Sequence, residues 1–151
     1  MYYNSKLHSW FNHNIIMTYI DVTGGRKKER ELVLEAAYWC VGKLMPRMRT
    51  LEIEIELHNL VDCEGLCNEY HMRYFMLEIQ RGMEYEDLLT TVFHEIVHVK
   101  QHARNQFEAT AYKTHDEYLA QPCEIEAYRM QEELLELWKE EKATMNICHA
   151  A

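Results

Sequence analysis

The spacing of apolar and polar residues changes several times along this chain. Ile15-Ile16-Met17-Thr18-Tyr19-Ile20-Asp21-Val22 is apolar and β-branched enough for a strand over 15–22, and Gly24-Gly25 stops it. A helical period follows from Lys27 to Leu44. Leu32, Ala36, Trp39 and Lys43 fall on one stripe, with Val33, Ala37, Cys40 and Leu44 beside it, and Pro46 ends the run. Leu51-Glu52-Ile53-Glu54-Ile55-Glu56-Leu57 alternates strictly between apolar and acidic residues, which predicts a half-buried strand with one wet face. Residues 58–70 read as a polar loop containing Gly65. A second strand is expected over 71–80, where Met72, Tyr74, Met76 and Glu78 alternate with Arg73, Phe75, Leu77 and Ile79 before Arg81-Gly82 closes it.

The second half of the chain is mostly helical in period. Residues 84–103 form the clearest run, with Glu84, Glu86 and Asp87 in the first turn, where the helix dipole favours acids. Residues 104–121 are polar and irregular, with a short hairpin expected around Thr110–Tyr118. Pro122 starts a last helix to about Lys142, because proline is favoured at a first helical position. Ala127, Leu134, Leu135 and Trp138 lie on its inward side. The expected class is α+β.

Composition narrows the function classes. A length of 151 residues fits one domain, 1–151, and 48% apolar with 27% charged residues is ordinary globular usage. The net charge of -9 argues against a nucleic-acid surface, which needs clustered Lys and Arg. The one basic cluster, Arg26-Lys27-Lys28, runs straight into Glu29, Arg30 and Glu31 and reads as a charged helix start. No apolar stretch approaches a membrane span, and the N-terminus has no apolar signal core, so a cytoplasmic protein is expected. Five cysteines (Cys40, Cys63, Cys67, Cys123 and Cys148) are an odd number without a signal peptide, which argues against a disulfide framework. Cys63 and Cys67 read as two ordinary loop thiols, with a metal clip as the alternative. Trp10, Phe11 and a strand edge at 51–57 are candidate dimer contacts, and the oligomeric state stays open.

Candidate chemistry concentrates on helix 84–103. His94-Glu95-Ile96-Val97-His98 places two imidazoles one turn apart on one helix face, where both reach one ion. Glu95 sits to the side, placed to take a proton from a zinc-activated water. Composition alone would produce this pattern roughly 0.07 times in such a chain. Its setting adds weight, because Leu88, Leu89, Val92, Phe93, Ile96, Val97 and Val99 bury the polar trio, and buried polar groups need partners. A third ligand is then required. Gln101 and Arg104 occupy the places where a continuing Gly and His would supply it, and His102 lies two turns from His94, about 12 Å along the axis. The last helix offers Glu124, on the stripe of Ala127, Tyr128, Gln131, Leu135 and Trp138, and Glu126, on the wetter line of Met130 and Glu133. Glu124 is preferred and Glu126 is the alternative.

Two segments carry a resemblance. Thr90-Thr91-Val92-Phe93-His94-Glu95-Ile96-Val97-His98-Val99-Lys100-Gln101 and Pro122-Cys123-Glu124-Ile125-Glu126-Ala127-Tyr128 look like those of small SprT-like zincin peptidases, especially compact phage-encoded ones, within residues 50–140. The Glu-x-x-Ala run at 124–127 also resembles the third-ligand segment of repressor-cleaving peptidases of the ImmA type. The resemblance implies a zincin-like fold, a small mixed sheet packed against helix 84–103 and the helix after it, with zinc on His94, His98 and Glu124 and Glu95 as general base. The implied activity is hydrolysis of a protein or peptide substrate. Tyr112, His115, Tyr118 and Tyr128 are candidate donors to the reaction's oxyanion. Two features depart from relatives: Tyr128 stands where many gluzincins carry an Asp that orients a histidine, and the chain has no basic zinc ribbon. The competing readings are a zinc-stapled binding module without catalysis, and a regulator that cleaves one protein such as a repressor.

Overall fold

A computed structural model describes residues 18–150. Its elements, in chain order, are β1 (Tyr19–Gly24), α1 (Lys27–Leu44), β2 (Glu52–His58), β3 (Gly65–His71), β4 (Tyr74–Gln80), α2 (Tyr85–Ala103), α3 (His115–Leu119) and α4 (Pro122–Ala150). The chain is thus α+β, with one mixed four-stranded sheet in the order β1-β2-β4-β3. β1 and β4 both run parallel to β2, while β3 pairs antiparallel with β4 at the sheet edge.

Strict alternation in β2 and β4 fixes the two faces of the sheet. Ile53, Ile55 and Leu57 stand in register with Phe75, Leu77 and Ile79, and all six are buried. The intervening Glu52, Glu54 and Glu56 look outward. On the inner side lie α1 and α2, and α4 packs against α2. α2 is therefore enclosed, with Leu88, Leu89, Val92, Phe93, Ile96, Val97 and Val99 all buried. Trp39 of α1, Phe93 of α2 and Trp138 of α4 meet with ring centroids 5.3–6.1 Å apart and lock the three helices together.

The turn from β1 into α1 depends on glycine. Gly24 has φ +74°, and a Cβ there would stand 2.1 Å from the Leu57 carbonyl oxygen of β2. The Gly25 amide donates to that same oxygen at 3.0 Å, and the Arg30 guanidinium donates to the Gly24 and Gly25 carbonyls. Glu29 then accepts from the Arg26 amide at 2.7 Å and starts the helix. Gly24→Ala is expected to cost about 2 kcal/mol or more of stability, through both the left-handed φ and the backbone clash. A urea unfolding midpoint equal to that of the wild type would contradict it.

Several expectations from the sequence are corrected. Residues 58–70 are not all loop: Gly65–His71 form β3, which escapes notice because its burial hardly alternates. The strand expected from residue 71 begins at Tyr74, after a β3–β4 turn in which Arg73 has φ +68°. No hairpin forms around Thr110–Tyr118. That stretch contains α3, whose Thr114 side chain accepts from the Glu117 amide while the Glu117 side chain accepts from the Lys113 amide. α4 continues eight residues past Lys142, since no Gly or Pro stops it. The strand at 51–57 is interior, flanked by β1 and β4, and offers no edge for a dimer. Trp10, Phe11 and the first part of the expected 15–22 strand lie outside the described residues.

Candidate metal centre

α2 and α4 bring the predicted ligands together. His94 and His98, one turn apart on α2, face Glu124 in the first turn of α4, and all three are buried. His94 Nε2 lies 3.2 Å from Glu124 Oε2, His98 Nε2 lies 3.2 Å from Glu124 Oε1, and the two Nε2 atoms are 3.1 Å apart. These three side chains could hold a metal ion. Glu126, the alternative ligand, points elsewhere: its carboxylate accepts from Lys100 Nζ at 2.9 Å and from Gln101 Nε2 at 2.8 Å.

The proton positions follow from the partners on the far side of each ring. Gln101, fully buried, has its amide nitrogen between two acceptors, the Cys123 carbonyl at 3.0 Å and Glu126 Oε2 at 2.8 Å. Its oxygen must therefore face His98 Nδ1, 2.8 Å away, and accept that atom's proton. Gln131 repeats the arrangement: its nitrogen donates to Glu132 at 3.1 Å, and its oxygen lies 2.9 Å from His94 Nδ1. With both protons on Nδ1, both Nε2 atoms present lone pairs. Two lone pairs and a carboxylate then converge with no hydrogen between them, a donor set that suits a bound cation.

The electrostatics agree. Burial alone would raise the Glu124 carboxyl, but the His94 and His98 rings set against it hold it well below the usual carboxylate range. Burial would lower His98, yet Glu124 and Glu95 together push it above its ordinary value. The pocket draws positive charge to itself.

Glu95, also buried, stands outside the three-ligand group. Burial pushes its carboxyl upward, against the pull of His98 and His94. Two of the four candidate oxyanion donors reach the centre. Burial, and then the Glu124 carboxylate against it, raises the Tyr118 hydroxyl, and the Tyr128 ring stands edge-on to His94 with centroids 4.7 Å apart. Tyr112 and His115 pack on the Tyr118 ring. His102 pairs with Glu69 of β3 at 3.4 Å and stacks on Phe107, away from the ligand atoms. All five cysteines are free thiols, and none joins the centre.

Sequence reasoning missed the roles of Gln101 and Gln131. Both signals were present: Gln131 is a polar residue on the inward stripe of Glu124, and Gln101 follows His98 by three positions on a buried helix face. Gln101→Leu keeps the volume and removes the amide. It is expected to weaken metal binding by about 10–100-fold, read by competition with a chromogenic chelator. Unchanged affinity would show that His98 needs no such support.

Comparison with protein-family models, with curated proteins and with solved structures returns no match. No helix among the described residues is long and apolar enough to cross a membrane.

Proposed function

We propose that the chain is a zinc-dependent peptidase of the zincin type. The carrying observation is the convergence of His94, His98 and Glu124 into an all-acceptor set, with Glu95 beside it and free of ligand duty. The ligand atoms are 3.1–3.2 Å apart. Donors bound tetrahedrally at zinc distances stand about 3.3 Å apart, so little adjustment is needed. Three protein ligands leave a fourth position open, as a catalytic site requires.

When bound, zinc supplies Lewis acidity toward water and toward a carbonyl oxygen. The chain's own groups do the rest. Glu95 takes the proton of the attacking water at its carboxylate and returns it to the leaving amine nitrogen. The raised Glu95 carboxyl suits both halves of that exchange, because burial brings it closer to neutral pH. Gln101 and Gln131 hold the two imidazoles in the tautomer that binds. Tyr118, set against Glu124, is the favoured hydroxyl donor to the oxyanion. Among the described residues β3 is an edge strand, and the side that none of them pairs with offers backbone donors and acceptors along which an extended peptide can lie.

Incubation with a mixed peptide library, followed by mass spectrometry, tests the reading. Cleavage products should appear with zinc and vanish with a chelator. Products that persist at full chelation would assign the hydrolysis to something else.

A further inference from the structure

Gly65 is the first residue of β3 and was expected in a loop. Its backbone does not call for glycine, for it is not among the residues with positive φ. What calls for glycine is its neighbour. Gly65 stands in register with buried Ile79, so it shares the inner face of the sheet, the face that α2 packs against. A Cβ on Gly65 would meet Glu95 Oε1 at 2.4 Å and Glu95 Cδ and Cγ at 2.9 Å each. Because Cγ is involved as well as the carboxylate, turning the end of the side chain does not relieve the clash.

We infer that Gly65 is a positioning residue for Glu95, its missing side chain being the space in which the Glu95 carboxylate is held beside the metal ligands. No hydrogen bond among the described residues fixes that carboxylate; the wall of β3 does so by contact. An alanine at position 65 forces Glu95 into another rotamer, and its three nearest neighbours all belong to Glu95 rather than to His94, His98 or Glu124. The catalytic consequence rests on the peptidase reading, whereas the steric coupling does not.

A thermal double-mutant cycle with Gly65→Ala and Glu95→Ala separates the two. Gly65→Ala should lower Tm by about 4–8 °C when Glu95 is present. In the Glu95→Ala background it should cost nothing, since alanine in a strand restricts the unfolded chain more than glycine does. The same Gly65→Ala protein should bind zinc with an affinity within roughly threefold of wild type and lose at least about tenfold in kcat with KM unchanged. Equal Tm losses in both backgrounds, or full kcat despite a clear thermal coupling, would overturn the inference. If Gly65→Ala alone does not fold, folding of the double variant supports the inference and its failure overturns it. Absence of any hydrolysis by the zinc-loaded wild type would sink the peptidase reading instead, and the thermal cycle would then decide the role of Gly65.

Discussion

Glu95→Gln is expected to keep one metal ion per chain and to lower kcat for peptide cleavage by about 10²–10⁴-fold. The amide fills the same space beneath β3, where Gly65 leaves room, so packing is preserved. It cannot take a proton from water at neutral pH, so the exchange from nucleophile to leaving amine stops. KM should hardly move, because Glu95 is not needed to bind the peptide backbone. Elemental analysis and steady-state kinetics on the same preparation read both quantities. A Glu95→Gln protein with full metal and wild-type kcat would remove Glu95 from the mechanism. It would favour the alternative in which the metal staples a binding module.

The second large effect is on stability. An ion that binds only the folded chain stabilises it by about 4 kcal/mol when present at a thousand times its dissociation constant. In a chain of this length that is about 8–16 °C in Tm. A chelator should therefore lower the Tm of the wild type by that amount. His94→Ala removes one of three ligands and part of the contact between α2 and α4. The variant should lose both activity and the thermal response to chelator. Identical chelator shifts in variant and wild type would place the ion elsewhere.

Periodicity carried much of this far. α1 runs over Lys27–Leu44, as its stripes require, and β2 buries the apolar residues its alternation marks. Glu124 could be picked from the inward stripe of α4 because a lone carboxylate among Ala127, Leu135 and Trp138 needs a partner. β3 was illegible for a physical reason. An edge strand with one half-covered face has no strong alternation, and its glycine serves a neighbour rather than a turn. α3 was legible in principle, since Thr114 and Glu117 have the spacing of a capping box, but five residues give no period to read. Gln101 and Gln131 illustrate the remaining gap. Nothing in a glutamine says which atom faces a histidine until the opposite partner, here the Cys123 carbonyl or a carboxylate, is placed.

The arrangement also explains why α4 matters beyond supplying Glu124. Gln101 ties His98 to the Cys123 carbonyl and to Glu126, and Lys100 binds the same Glu126, so the start of α4 is pinned to the end of α2. Movement of α4 would shift Glu124 and loosen Gln101 together. Gln131, further along α4, adds a second tie to His94. Three side chains of one helix thus hold the geometry of two histidines on another.

Zinc titration into chelator-treated protein, with peptide cleavage followed at each addition, decides whether the metal centre is catalytic. Cleavage should appear with the first additions and stop rising at one equivalent per chain. Full occupancy by zinc at one equivalent, with no cleavage of any peptide in a diverse library, would contradict it.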